Sequence, residues 1–118
     1  MGAKLRVAVI GLGRAGRARV RALQEHPRAE LAAVVRREPG EGERHLYEVV
    51  EDASIGAAIV CTPNLLHAEI ARACLEAGKH VNVEFPLAES AARAEELFAL
   101  AARAERVLHV EHIELLSP

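Results

Sequence analysis

Aromatic residues and cysteines are scarce in this chain, which has no tryptophan, one tyrosine, two phenylalanines and two cysteines. The hydrophobic core must therefore consist of alanine, valine, leucine and isoleucine. Cys61 and Cys74 are too few for a disulfide framework, and their spacing matches no zinc-binding pattern. One ends an apolar strand and the other lies on an apolar helix face, so we expect both to be small buried hydrophobic residues.

Strong net charge and long apolar runs are also missing. The net charge of −2 gives no general attraction to nucleic acid, and no apolar run approaches the ~20 residues of a membrane-spanning helix. With 118 residues, 51% of them hydrophobic, the chain is long enough for one globular domain. We therefore expect a cytoplasmic protein with neither nucleic-acid nor membrane partners.

The stretch from Leu5 to Gly16 organises the rest of the sequence. It reads LRVAVIGLGRAG, an apolar strand that ends in glycines and leads into a helix predicted over Arg14–Glu25. This order places backbone N–H groups and the positive end of a helix dipole at one spot, where the pyrophosphate of a dinucleotide binds. A turn that binds nothing is the alternative. The candidate residues are Gly11, Gly13, Arg14, Ala15 and Gly16.

Apolar strands alternate with amphipathic helices along the remaining sequence, as is typical of a parallel sheet covered on both faces. The predicted fold is α/β, a doubly wound parallel sheet of the Rossmann type in a single domain. The turn-rich segment Glu38–Glu43 leaves no room for a full helix, so the connection after the second strand is predicted to be shortened. The other predicted strands are Glu30–Arg36, Arg44–Tyr47, Ala57–Cys61, His80–Val83 and Val107–His112, and the other helices are Glu48–Ala53, Leu66–Ala77 and one capped by Ser90 that ends near Glu105.

Arg36 and Arg37 stand at the end of the second strand, where the dinucleotide fingerprint usually has an acidic residue that binds the adenosine ribose. A guanidinium can instead bind a 2′-phosphate through charge-assisted hydrogen bonds. NADP is therefore predicted to be the preferred cofactor, with NAD as the second candidate. The alternative is that the two arginines only begin an exposed loop.

Ligands of open parallel sheets bind beyond the carboxyl ends of the strands. The strand that ends at Cys61 is followed by Thr62, Pro63 and Asn64, and His67 stands shortly after them. The hydroxyl and amide groups of this segment can bind a ribose or a carboxamide. For Thr62 and Asn64 the alternative is helix capping or turn formation, and for His67 it is an exposed helix position.

The segment AAIVCTPNLLHAEIARACLEAGKHVNVEFP resembles the stretch (A/S)TPNxxHxE followed by AGKHVxxEKP that identifies the Gfo/Idh/MocA superfamily. Together with GLGRAG, the similarity covers nearly the whole chain. Within the superfamily, VVRRE, VEFP and LHVEHIELL are most similar to the biliverdin reductases. The resemblance implies a Rossmann domain that binds NAD(P)H, with Glu84 at the nicotinamide-ribose end, and a following domain that holds the substrate.

Phe85 departs from the family pattern, which has lysine here or, in biliverdin reductases, tyrosine. Phenylalanine transfers no proton, so oxidation of a sugar alcohol by the lysine route is not expected. Hydride transfer from NADPH to a bilin-like or carbonyl acceptor stays open, and the resemblance suggests Glu111 or His112 as the acid. No metal site is expected, because strand alternation puts His109 and Glu111 on one face and His112 on the other.

The chain stops about where similar proteins begin their substrate domain. We therefore expect that domain to be absent and the chain to be incomplete for catalysis on its own. An uncovered apolar surface would then favour a homo-oligomer or a partner that supplies the missing domain. The alternative function is a nonenzymatic module that senses a nucleotide or associates with another protein.

Overall fold

The computed structural model describes residues 3–111. None of the helices in this range is long and apolar enough to cross a membrane. The strands are β1 (Leu5–Ile10), β2 (Ala29–Val35), β3 (Ala57–Val60), β4 (His80–Glu84) and β5 (Leu108–Glu111), and the α-helices are α1 (Arg14–Glu25), α2 (Leu46–Glu51), α3 (His67–Glu76) and α4 (Ala91–Ala104), with a 3-10 turn at Asn64–Leu66 before α3.

The strands form one parallel sheet in the order β2-β1-β3-β4-β5. The chain winds to one side from β1 to β2 and to the other side from β3 to β5, so its direction reverses between β1 and β3. Right-handed crossovers in opposite directions place their helices on opposite faces, so α1 covers one face and α3 and α4 cover the other. The predicted doubly wound α/β fold is thereby confirmed. Sheets of this kind bind ligands at the reversal point.

The core is built from aliphatic residues, as the scarcity of aromatic residues requires. Ile10, Val60 and Val83, from three neighbouring strands, are each at most 2% exposed. They belong to one cluster with Leu75 of α3 and Leu97 of α4. Each of these strands ends within one residue of this cluster, so tight packing fixes the positions of the strand ends relative to one another.

The predicted strand at Arg44–Tyr47 is wrong. Only Arg44 pairs with the sheet, through a single parallel bridge to Val35 at the outer side of β2. Helix α2 begins at Leu46 instead, because the Glu48 carboxylate accepts a hydrogen bond at 3.0 Å from the His45 N–H and so stabilises an early helix start. The bridge lies where a full third strand would pair, and the predicted shortening of this connection is confirmed.

Lys79 lies just before β4, at the end of the sheet where the strands begin, and is only 2% exposed. Its ammonium group donates to the main-chain oxygens of Asp52 and Ile55, both at 2.8 Å. Burial lowers the pKa of Lys79, although nearby Cys74 and Asp52 partly oppose this effect. The lysine ties the segment that precedes β3 to the start of β4.

Candidate functional site

The predicted site residues follow the carboxyl ends of the strands, and main-chain hydrogen bonds connect these ends. The Gly11 N–H donates to the Val35 oxygen at 2.9 Å, and the Cys61 N–H donates to the Ile10 oxygen at 2.7 Å. The ends of β2, β1 and β3 are therefore held side by side at the reversal point. Along this edge, in chain order, lie Gly11, Gly13, Arg14, Ala15, Gly16, Arg36, Arg37, Cys61, Thr62, Pro63, Asn64, His67, Glu84, Phe85 and Glu111.

Two of the three glycines are required by close backbone contacts. Gly11 has a φ of 99°, a conformation that other residues rarely adopt. A Cβ atom on it would lie 2.6 Å from the Cys61 oxygen. A Cβ atom on Gly16 would lie 1.9 Å from the Gly11 oxygen. These contacts bring the first turn of α1 directly against the ends of β1 and β3.

Gly13 has a different environment. A Cβ atom added to it would meet nothing within 4 Å, so the space in front of it is open. Gly13 is also the N-terminal cap of α1, where no side chain caps the helix and no acidic residue stands in the first turn. Such a helix end presents uncapped N–H donors and a positive partial charge. The geometry fits a phosphate group, which would occupy the space a side chain would fill.

Arginines flank the glycine turn on the β2 side. Arg36 and Arg37 follow β2 and are exposed. The Arg36 guanidinium lies 3.6 Å from the Glu43 carboxylate, so an anion bound there would compete with a weak surface ion pair. Arg14 is exposed at the first position of α1. Both the exposed-loop interpretation and the phosphate-binding interpretation of Arg36 and Arg37 agree with these positions.

Of the two alternatives for the segment after β3, turn formation is observed, because Asn64 begins a 3-10 turn, but helix capping is not. Neither the 3-10 turn at Asn64 nor helix α3 has a side-chain cap. The Thr62 hydroxyl oxygen is buried and has no hydrogen-bond partner among the described residues. A buried hydroxyl without a partner is unfavourable, so a ligand that binds it would be stabilising. This orphaned group is the second feature that fits a bound nucleotide.

His67 is buried, with 1% of its surface exposed, so the interpretation of this residue as an exposed helix position is wrong. Its Nε2 atom lies 2.7 Å from the Thr62 main-chain oxygen. Its Nδ1 atom lies 2.8 Å from the Pro86 main-chain oxygen. The imidazole thus connects the segment after β3 to the segment after β4, which includes the cis peptide bond between Phe85 and Pro86.

An acidic and basic cluster lies where β3, β4 and β5 end. Arg19 of α1 forms an ion pair with Glu111, and the Asn82 amide lies 3.4 Å from the same carboxylate. Sequence reasoning missed Arg19, although it stands three residues after Gly16, on the face of α1 that packs on the sheet. Glu111 is thereby held against the sheet, and its role as an acid stays a prediction. His112, the other candidate acid, lies outside the described residues.

Cys74 is fully buried, as expected, whereas Cys61 is only partly buried. Burial and the negative charge of Glu84 raise the pKa of the Cys61 thiol to about 11, and Arg19 opposes this effect. Burial also raises the pKa of Cys74 to about 11. Within residues 3–111, no group of three histidine, cysteine or acidic side chains could hold a metal ion.

We expect both thiols to be poorly reactive at pH 8. A pKa of about 11 in place of 9.0 leaves roughly one hundredth of the ordinary thiolate fraction, and the thiolate is the reactive form. Reaction with Ellman's reagent should therefore be about 100-fold slower than for the chain unfolded in urea. Rapid modification of either cysteine in the folded chain would contradict these environments.

Fold and site together define a doubly wound domain built to bind a dinucleotide at its reversal point. The chain belongs to the Gfo/Idh/MocA family, because residues 5–112 match its model, described as an oxidoreductase family with an NAD-binding Rossmann fold. The resemblance inferred from the sequence motifs is confirmed. The domain is therefore an NAD(P)-binding domain of oxidoreductase type.

Biliverdin reductases are among the similar proteins. The chain is 46% identical to biliverdin reductase A of Mus musculus and 40% identical to that of Homo sapiens, over 96% of this chain in both cases. The crystal structure of biliverdin reductase from Synechocystis sp. PCC 6803, in complex with biliverdin and NADP+, has a TM-score of 0.86 and 33% identity over 95% of this chain. This chain spans only 41% of each mammalian relative and 39% of the Synechocystis chain.

Proposed function

We propose that the crevice binds NADPH and that the chain takes part in hydride transfer to a bilin-like or other conjugated carbonyl acceptor. The glycine turn carries the proposal, since the space beside Gly13 is open and the start of α1 has no side-chain cap. A helix end of this kind attracts an anion. The similarity to biliverdin reductases, one of which is solved with biliverdin and NADP+, supports the choice of cofactor and acceptor class.

The two halves of the cofactor would extend from the reversal point in opposite directions. Towards β2, Arg36 and Arg37 would bind the adenosine 2′-phosphate through charge-assisted hydrogen bonds. Towards β3 and β4, the orphaned Thr62 hydroxyl would bind either the ribose attached to the nicotinamide or the carboxamide group of the nicotinamide ring. When bound, the reduced nicotinamide supplies the hydride. The pyrophosphate would lie on Gly11, Gly13, Arg14, Ala15 and Gly16. The nicotinamide half would lie on Cys61, Thr62, Pro63, Asn64, Glu84 and Phe85, with His67 behind Thr62.

Phe85 bears on the class of acceptor. Its side chain is 54% exposed beside the crevice, and its ring offers an apolar face but no proton. A flat conjugated acceptor is suited to this face, whereas an alcohol substrate would need a base at this position. The proton would come from another group, and Glu111 and His112 stay the predicted donors. Cytoplasmic location, self-association and a separately supplied substrate domain also stay predictions.

Titration with NADPH, followed by its fluorescence, tests the proposal. We expect saturable binding, with tighter binding of NADPH than of NADH. Oxidation of bound NADPH when biliverdin or another conjugated acceptor is added would support the enzymatic part. Absence of saturable binding up to millimolar NADPH would refute the nucleotide site. Binding without turnover of any such acceptor, together with formation of a defined complex with another protein, would favour the nonenzymatic module that senses a nucleotide or associates with a partner.

A further inference from the structure

His67 occupies a position between the two segments that would surround the nicotinamide half of the cofactor. Its ring nitrogens lie 2.7 Å from the Thr62 oxygen and 2.8 Å from the Pro86 oxygen. These two carbonyl groups belong to segments that are far apart in sequence and that follow different strands. Within the described part of the chain, His67 is the side chain whose hydrogen bonds bridge them.

Both partners of the imidazole are carbonyl oxygens, which can only accept hydrogen bonds. The ring therefore donates to one of them when neutral and to both when doubly protonated. Because His67 is buried, water has little access to either contact, and loss of the ring would leave both carbonyl groups without this partner. The contact with Thr62 is made through its main-chain oxygen, so it leaves the buried hydroxyl of the same residue without a hydrogen-bond partner.

We propose that His67 is a positioning residue, which holds the segments after β3 and β4 in the arrangement that the nicotinamide half of the dinucleotide requires. This inference rests on the proposed function of the crevice. Both ring nitrogens of His67 contact main-chain oxygens. The residue therefore acts through Thr62, whose buried hydroxyl has no hydrogen-bond partner among the described residues, and through the Phe85–Pro86 segment. The adenosine half, bound beside β2, is remote from the imidazole and does not depend on it.

Substitutions can remove the two contacts separately. Asparagine places an amide N–H near the position of Nδ1 and keeps the bond to Pro86, whereas glutamine places one near Nε2 and keeps the bond to Thr62. We expect H67N and H67Q each to bind NADPH roughly three- to tenfold more weakly than the wild type, and H67F more weakly still. All three should bind 2′,5′-ADP, which lacks the nicotinamide half, with wild-type affinity.

Lys79 offers a matched control. Its buried ammonium also bridges two main-chain oxygens, but at the end of the sheet where the strands begin, away from the site. K79M should lower the thermal midpoint and leave the ratio of NADPH to 2′,5′-ADP affinity unchanged. Calorimetric titration of both nucleotides, with thermal unfolding of each variant, provides the comparison. A variant that is less stable but keeps the wild-type ratio would show that His67 has a structural role only.

Failure of the inference and failure of the proposed function give different results. If the wild type binds neither nucleotide, the proposed function fails, and the inference falls with it. If the wild type binds NADPH and 2′,5′-ADP equally well, the adenosine half of the site stands, but the inference is overturned because the nicotinamide half contributes nothing. If only the His67 variants lose the preference for NADPH, the inference is supported.

Discussion

Gly16→Ala is expected to unfold the chain, whereas Gly13→Ala is expected to leave it folded and to weaken cofactor binding. The Cβ atom of an alanine at position 16 would lie 1.9 Å from the Gly11 oxygen, a main-chain atom that cannot move away as a side chain can. Overpacking costs about 1–3 kcal/mol when side chains can adjust, so we expect more than about 3 kcal/mol here. The better helix propensity of alanine, about 1 kcal/mol, cannot offset this loss.

Gly13→Ala tests the phosphate site without this penalty. Its Cβ atom would meet no protein atom within 4 Å, and its φ of −70° suits alanine, so stability should fall by less than about 1 kcal/mol. The methyl group would instead occupy the space where the pyrophosphate must approach the backbone. We expect the affinity for NADPH to fall at least about tenfold.

Urea unfolding and NADPH titration of the two variants provide the measurement. Gly11→Ala should behave like Gly16→Ala, because it combines a φ of 99° with a Cβ atom 2.6 Å from the Cys61 oxygen. Wild-type NADPH affinity in a folded Gly13→Ala variant would contradict the position assigned to the phosphate. Wild-type stability of Gly16→Ala would contradict the close approach of α1 to β1.

The glycine turn could be predicted from the sequence because its signal is local. A strand, three glycines at fixed spacing and a helix lie within Leu5–Glu25, and each glycine role follows from the backbone of that segment. The parallel, doubly wound sheet followed from the alternation of strands and helices. The absence of a strand at Arg44–Tyr47 could not be predicted in this way, because the capping of α2 by Glu48 competes with strand formation, and neither signal is strong.

The bridge made by His67 depends on tertiary contacts that no local pattern contains. Pro86 lies 19 residues from the histidine in sequence, and its carbonyl group becomes a partner only when β3 and β4 pair. One signal did exist, because His67 stands three residues before Ile70 and seven before Cys74, on the apolar face of α3. A histidine on a buried face needs hydrogen-bond partners, so the spacing alone could have excluded an exposed position.

Replacing Arg36 and Arg37 together by alanine is expected to weaken NADPH binding by about 10- to 100-fold. NADH binding should change by less than about threefold, because NADH lacks the 2′-phosphate and exposed charges contribute little at a distance. The control is Arg21→Ala with Arg28→Ala, which removes the same charge from exposed positions on α1 and before β2. Equal losses for both cofactors would refute the phosphate role and favour an exposed loop.

Glu43 allows the same test in the opposite direction. Its carboxylate lies 3.6 Å from the Arg36 guanidinium and also accepts a hydrogen bond at 2.8 Å from the Gly40 N–H. Glu43→Gln keeps an acceptor for Gly40 and removes the charge that competes with a 2′-phosphate. We therefore expect this variant to bind NADPH more tightly, by roughly two- to fivefold, with NADH unchanged. Since a repelling carboxylate and an attracting guanidinium act on the same phosphate, opposite changes in the two variants would locate that phosphate beside β2.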